Sequence, residues 1–180
     1  MDQLQTVVGN YYKLCGFCDQ LWSRVRQAYP NEITCKKGCG ICCELKSVSQ
    51  IEAHVISLYL QENNGGSNKK TVPETAEKCP FLCEDACLIY NARPLICRTH
   101  GLVLRSAEFH QTHAASCPYN FPSFGPNELS DEFTLDIDMI TKNLMRLNLA
   151  YCMCKGIQDD ARNRVLLVDL LITRLINSIK

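Results

Sequence analysis

The segment Cys35-Lys-Lys-Gly-Cys39-Gly-Ile-Cys42-Cys43 crowds four thiols into nine residues, and this constrains the chain more than any other feature. Ordinary core cysteines do not gather so tightly. Several thiolates brought together away from water repel one another and lose hydration, so they converge only where a cation compensates them. Gly38 and Gly40 suit a loop that folds its own amides around such an ion, because glycine adopts backbone angles that other residues resist. The adjacent Cys42 and Cys43 project in different directions. They serve two sites, or one ligand and one neighbouring thiol, more readily than one tetrahedron, which brings two ions or a multinuclear cluster into scope. A second group, Cys79, Cys83, Cys87 and Cys97, is followed by Cys117, enough in all for one or two sets of four ligands.

A disulfide framework is the competing explanation. It suits small exported domains, whereas this chain has 180 residues, enough to bury a core without covalent staples, and an odd total of 13 cysteines. Met1 to Asn10 has no basic stretch and no apolar run of the kind an export signal needs, so a reducing, cytoplasmic setting is expected. There, thiols at short spacings are ligands for zinc or iron. Lysine plus arginine (19) balance aspartate plus glutamate (19), which removes the long-range attraction that nucleic acid or anionic lipid would exert. Lys36 and Lys37 read as a solvated loop. The apolar stretch from Val165 to Ile176 is too short to cross a bilayer and is broken by Asp169 and Arg174. Neither nucleic acid nor membrane is expected as a partner, which leaves another protein.

Apolar residues recur at helical spacing from Leu4 to Val25, and Pro30 ends the pattern, predicting one amphipathic helix. Thr34 to Lys46 shows no periodicity, as expected where coordination sets the backbone. Ser49 and Glu52 form a capping box that opens a second helix through Leu60. Asn63 to Lys70 reads as a loop, Cys79 to Cys97 as irregular backbone or short strands, and Thr112 to Asn127 as a proline-rich link. Leu129 to Lys155 and Gln158 to Lys180 predict two antiparallel helices broken at Gly156. The expectation is a single metal-binding domain over 1–180, with an N-terminal helix (1–30), a cysteine-rich metal-binding core (31–127) and a C-terminal helical pair (128–180). The class is mainly α: a small helical bundle carrying irregular cysteine-rich loops, with at most a short β element.

The order Cys35-x3-Cys39-x2-Cys42-Cys43, then Cys79-Pro-Phe-Leu, then Cys87-Leu-Ile-Tyr-Asn-Ala-Arg93-Pro94-Leu-Ile-Cys97-Arg98, resembles the cysteine-rich family described as zinc- or iron-chelating domains. A related arrangement occurs in the flagellin lysine-N-methylases. The resemblance spans about Cys35 to Cys117 and implies Cys35, Cys39, Cys42, Cys43, Cys79, Cys87 and Cys97 as metal positions, with Cys117 as the eighth. Cys83 falls where a polar turn residue is expected. The implied cofactor is zinc or iron, an iron-sulfur cluster included.

Arg93 and Arg98 would offset the negative charge of a four-thiolate centre, and Arg93 could equally anchor the turn before Pro94. His100 is a candidate ligand or donor to sulfur, ahead of His110 and His113. Cys15, Cys18, Cys152 and Cys154 fall on predicted helices and read as core packing, with completion of a second site as the alternative. Three functions remain: a zinc module that staples loops and presents a protein-binding surface, an iron-sulfur redox or sensor protein, and an enzyme related to the methylases. The first three cysteines also match the cluster spacing of radical S-adenosylmethionine enzymes, but this short helical chain has no room for their barrel. No cysteine stands beside a histidine and a carboxylate in the order a thiol nucleophile requires.

Overall fold

A computed structural model describes residues 2–36, 38–63, 77–109, 114–115, 117–157 and 163–177. The protein is mainly α: five helices carry it among the described residues, with strands of two or three residues between them. Helix α1 (Gln3–Ala28) buries Val7, Tyr11, Cys15, Cys18, Leu21 and Val25, one stripe at steps of three and four, as the spacing predicts. Asp2 caps its first turn and the chain leaves at Tyr29, just before Pro30. Strand β1 (Ser47–Val48) leads into α2 (Gln50–Glu62). The capping box forms: Glu52 accepts from the Ser49 amide at 3.0 Å and from its hydroxyl at 2.7 Å. The other Glu52 oxygen accepts from the Leu95 amide at 3.0 Å. One buried carboxylate therefore fixes the starts of α2 and of α3 (Leu95–Thr99).

Between these helices, β2 (Leu82–Cys83) and β3 (Ala86–Cys87) form a tight hairpin whose turn residues, Glu84 and Asp85, both have positive φ. Strand β4 (Val103–Arg105) pairs antiparallel with β5 (Ala114–Ala115) and parallel with β6 (Thr134–Asp136). Helix α4 (Ile137–Lys155) follows, opened by the Asp136 side chain on the Met139 amide and closed by Gly156 in the left-handed conformation. Strand β7 (Val165–Leu166) pairs with β1, and α5 (Leu167–Asn177) ends the described chain.

The C-terminal region departs from the expected helical pair. Helix α4 starts eight residues later than Leu129, because Thr134–Asp136 is drawn into the sheet by β4 and two helical turns precede it at Pro126–Glu128 and Asp131–Phe133. Helix α5 starts at Leu167, because Val165 and Leu166 pair with β1. The two helices do not pack chiefly on each other; α4 lies along α1 and α2, and α5 against α2. The loop expected at Asn63–Lys70 lies, beyond Asn63, outside the described residues.

Two apolar clusters result. One joins α1 and α4 with Leu95, Leu102, Val103 and Leu135. The other joins α2 and α5 with Phe81 and Ile89 from the hairpin region, and includes Cys79. Among the described residues, no helix is long and apolar enough to cross a membrane.

Candidate metal centre

The cysteines that line the site are carried on a loop, the β2–β3 hairpin with the residues leading into it, and the short helix α3. Loop 34–46 turns at Gly38, whose φ of +92° strains any other residue, while Gly40 packs so closely on the hairpin that a Cβ there would lie 3.2 Å from Leu82. The hairpin brings Cys79 and Cys87, and α3 brings Cys97. The Cys79 amide donates to the Cys43 carbonyl at 2.8 Å, which docks the hairpin on the loop. Two lysines close the seam: Lys46 donates to the Lys78 carbonyl at 2.8 Å and Lys78 to the Ile41 carbonyl at 3.1 Å.

A cavity of about 670 Å³ opens between these pieces and α1, and Cys35, Cys39, Cys42, Cys43, Cys79, Cys87 and Cys97 all line it. The eighth expected residue, Cys117, is buried and interacts with Cys35. The thiols fall into two groups. Cys43, Cys79, Cys87 and Cys97 act on one another electrostatically, with Cys42 and His100 at their edge. Cys117 and Cys39 act in the same way on Cys35. Among the described residues, no three Cys, His, Asp or Glu side chains already converge as a metal ion requires. The thiols share a wall but stand apart.

Their protonation follows from burial and crowding. Burial pushes the Cys97 thiol up to about 12, reinforced by Cys79 and Cys87, and pushes Cys35 to about 11, reinforced by Cys117. Cys97 counts as exposed by surface area, but that surface faces the cavity, where neighbouring sulfurs and walls replace bulk water. Burial also raises Cys79 and Cys87. Cys42 rises to about 12 because it donates its proton to Cys43, which is lowered in turn. A hydrogen bond to Cys42 raises His100. Without a cation Cys35, Cys42 and Cys97 keep their protons at neutral pH.

The backbone nonetheless anticipates thiolates. The backbone around Phe81 and Leu82 favours the ionised form of Cys79, and that at Ile89 the ionised form of Cys87, with the Leu82 amide donating to the Cys79 carbonyl at 3.0 Å in the turn that sets this backbone. Backbone dipoles of this kind are outer-shell support for a ligating thiolate. An all-thiolate donor set of this kind suits zinc or iron and does not suit magnesium or calcium.

The remaining candidates sort cleanly. Cys83 does not line the cavity, being paired with Ala86 beside the turn. Cys15, Cys18 and Cys152 are buried in the α1–α4 core and Cys154 packs against it, as the packing reading expects. His110 and His113 lie outside the described residues. Arg93 lines the cavity, bonds the Tyr90 carbonyl at 3.0 Å and lies 4.3 Å over the Tyr90 ring, so it both anchors the turn and faces the thiols. Arg98 corrects the expectation that it offsets cluster charge. Its guanidinium is buried against Asp19 of α1 and the carbonyls of Arg93 and Asn91, fixing α3 to α1. Sequence reasoning missed Asp19, Lys78 and Asn120, and the second role of Glu52 at Leu95, because these partners are distant along the chain.

Residues 34–118 match the model of the CxxCxxCC family, described as a zinc- or iron-chelating domain. The match covers less than half of the chain, and its bounds contain all eight expected metal positions. Searches of curated proteins and of solved structures found no match.

Proposed function

We propose that the protein binds metal at two thiolate centres: Cys43, Cys79, Cys87 and Cys97 hold one, and Cys35, Cys39 and Cys117 are the foundation of the other. The observation that carries this reading is the single cavity lined by Cys35, Cys39, Cys42, Cys43, Cys79, Cys87 and Cys97, where the backbone beside Cys79 and Cys87 favours the charge those thiols acquire on losing a proton. A metal supplies the reason to lose it. Binding would draw loop 34–46, the hairpin and α3 together, stapling the two apolar clusters across their seam. That is the behaviour of a structural zinc module, whose surface is then available to a protein partner. The cleft favours a second reading, because Cys42 and Cys97 are open to it and a redox or sensing iron-sulfur centre needs such access.

Elemental analysis and an ultraviolet-visible spectrum on protein purified without oxygen or a metal-chelating column test the proposal. Two zinc ions per chain in a colourless sample support the structural role. Iron with acid-labile sulfide in a brown sample supports the second reading, and a folded protein binding no metal refutes both.

A further inference from the structure

We infer that Asn120 is the positioning residue of the second centre: its carboxamide holds the Cys35 backbone to the chain that follows His100, so that Cys35, Cys39 and Cys117 meet as one set. This rests on the two-centre reading above.

Asn120 is buried, 3% exposed, in the proline-rich link that sequence reading treats as irregular. Its Oδ1 accepts from the Thr34 amide at 3.1 Å, the Thr34 hydroxyl at 3.1 Å and the Cys35 amide at 3.2 Å. Its Nδ2 donates to the Gly101 carbonyl at 2.8 Å. Three donors on one side and an acceptor on the other fix the orientation of the amide, since a flip would set N–H against N–H. Nothing shorter or less polar spans these partners.

The surroundings repeat the connection. The Thr34 hydroxyl donates to the Tyr119 carbonyl at 2.9 Å, and the Phe121 amide donates to the Glu32 carbonyl at 2.7 Å. The strap 32–35 is thus laid along 119–121, and the turn from Cys117 to Asn120 brings Cys117 under Cys35. Gly101 leaves the space this requires: a Cβ there would lie 2.9 Å from Asn120 Nδ2 and 2.8 Å from Trp22. No hydrogen bond of Asn120 reaches Cys43, Cys79, Cys87 or Cys97, so its loss should strike one centre and spare the other. Outer-shell partners of metal ligands are typically worth about 10–100-fold in metal affinity.

The test is a cobalt(II) titration of the metal-stripped full chain, read by sulfur-to-cobalt absorbance, for the native protein, Asn120→Ala, Asn120→Asp and Cys43→Ser. Asn120→Asp keeps the acceptor oxygen and the shape but turns a carboxylate oxygen toward the Gly101 carbonyl. The native protein should take up two equivalents. Both Asn120 variants should bind one equivalent with native affinity and the other about 10–100-fold more weakly, whereas Cys43→Ser should lose the complementary equivalent. Native binding at both centres in the Asn120 variants would overturn the inference, as would equal weakening of both centres or loss of the helical signal in both variants. A single equivalent in the native protein would refute the two-centre reading itself, and the inference with it.

Discussion

Replacing Arg98 with alanine separates two roles for this arginine. The side chain is 8% exposed and its guanidinium serves Asp19 together with the carbonyls of Arg93 and Asn91. Removing one partner of a fully buried ion pair costs about 3–5 kcal/mol. Here Asp19 is 41% exposed and keeps Arg93 at 2.7 Å, which lowers that figure, while two carbonyls lose a donor. A destabilisation of about 2–3 kcal/mol is expected. For a chain of this length each kcal/mol lowers the melting temperature by about 2–4 °C, so Arg98→Ala should melt about 4–12 °C below the native protein. Arg98→Lys should recover less than half of the loss, because an ammonium cannot serve three separated acceptors as the planar fork does. Circular dichroism melts with parallel metal analysis measure both effects, and metal content should not change. A variant with a native melting temperature but depleted metal would refute this reasoning and return Arg98 to charge compensation at the centre.

Serine at Cys43 or Cys79 should remove one equivalent of metal, whereas serine at Cys83, Cys18 or Cys152 should leave stoichiometry intact, checked by elemental analysis. Metal removal should lower the melting temperature, and a fully stripped protein that melts unchanged would exclude the stapling role. Because burial and neighbouring sulfurs hold Cys97 and Cys35 well above neutrality, the free thiols are protonated and each must release a proton to bind. Affinity should therefore rise with pH and fall on acidification, with about four protons released per ion at the four-thiolate centre, measured by calorimetry in buffers of different ionisation enthalpy. Gly101→Ala should destabilise the protein by about 1–3 kcal/mol, since φ is +94° and the new Cβ would meet Trp22 at 2.8 Å; denaturant unfolding reports it.

The features legible in the sequence are those that act locally. Val7 through Val25 announce α1 by spacing, Ser49 and Glu52 announce α2 by a side-chain bond within one turn, and Gly156 ends α4 as its conformational freedom suggests. Leu135, Val165 and Leu166 mislead because an apolar residue serves a helix and a short strand equally; β4 and β1, far away in sequence, decide between them. The same distance hides the supports of the site. Arg98 beside Cys97 looks like a charge for the centre until Asp19 on α1 is seen to hold it. Asn120 falls inside a stretch that reads only as a proline-rich link, and the fold alone brings it to Thr34 and Cys35. The cysteine set is visible from density and order. Its division into two groups is not, because it depends on which way the hairpin turns Cys79 and Cys87 and on Cys117 arriving from beyond β5.

The short ladder between β1 and β7 joins the last described helix to the metal loop. Ser47 and Val48 pair with Leu166 and Val165, the Leu167 amide donates to the Lys46 carbonyl at 2.8 Å, and Arg164 grips the Ser47 carbonyl at 2.6 Å. Lys46 is three residues from Cys43, and Leu167 itself lines the cavity. Helix α5 is thus a lever with Cys43 on its short arm. A load applied along that helix would reach the sulfur through a handful of hydrogen bonds, and an ion bound at Cys43 as proposed would stiffen the helix against the same load.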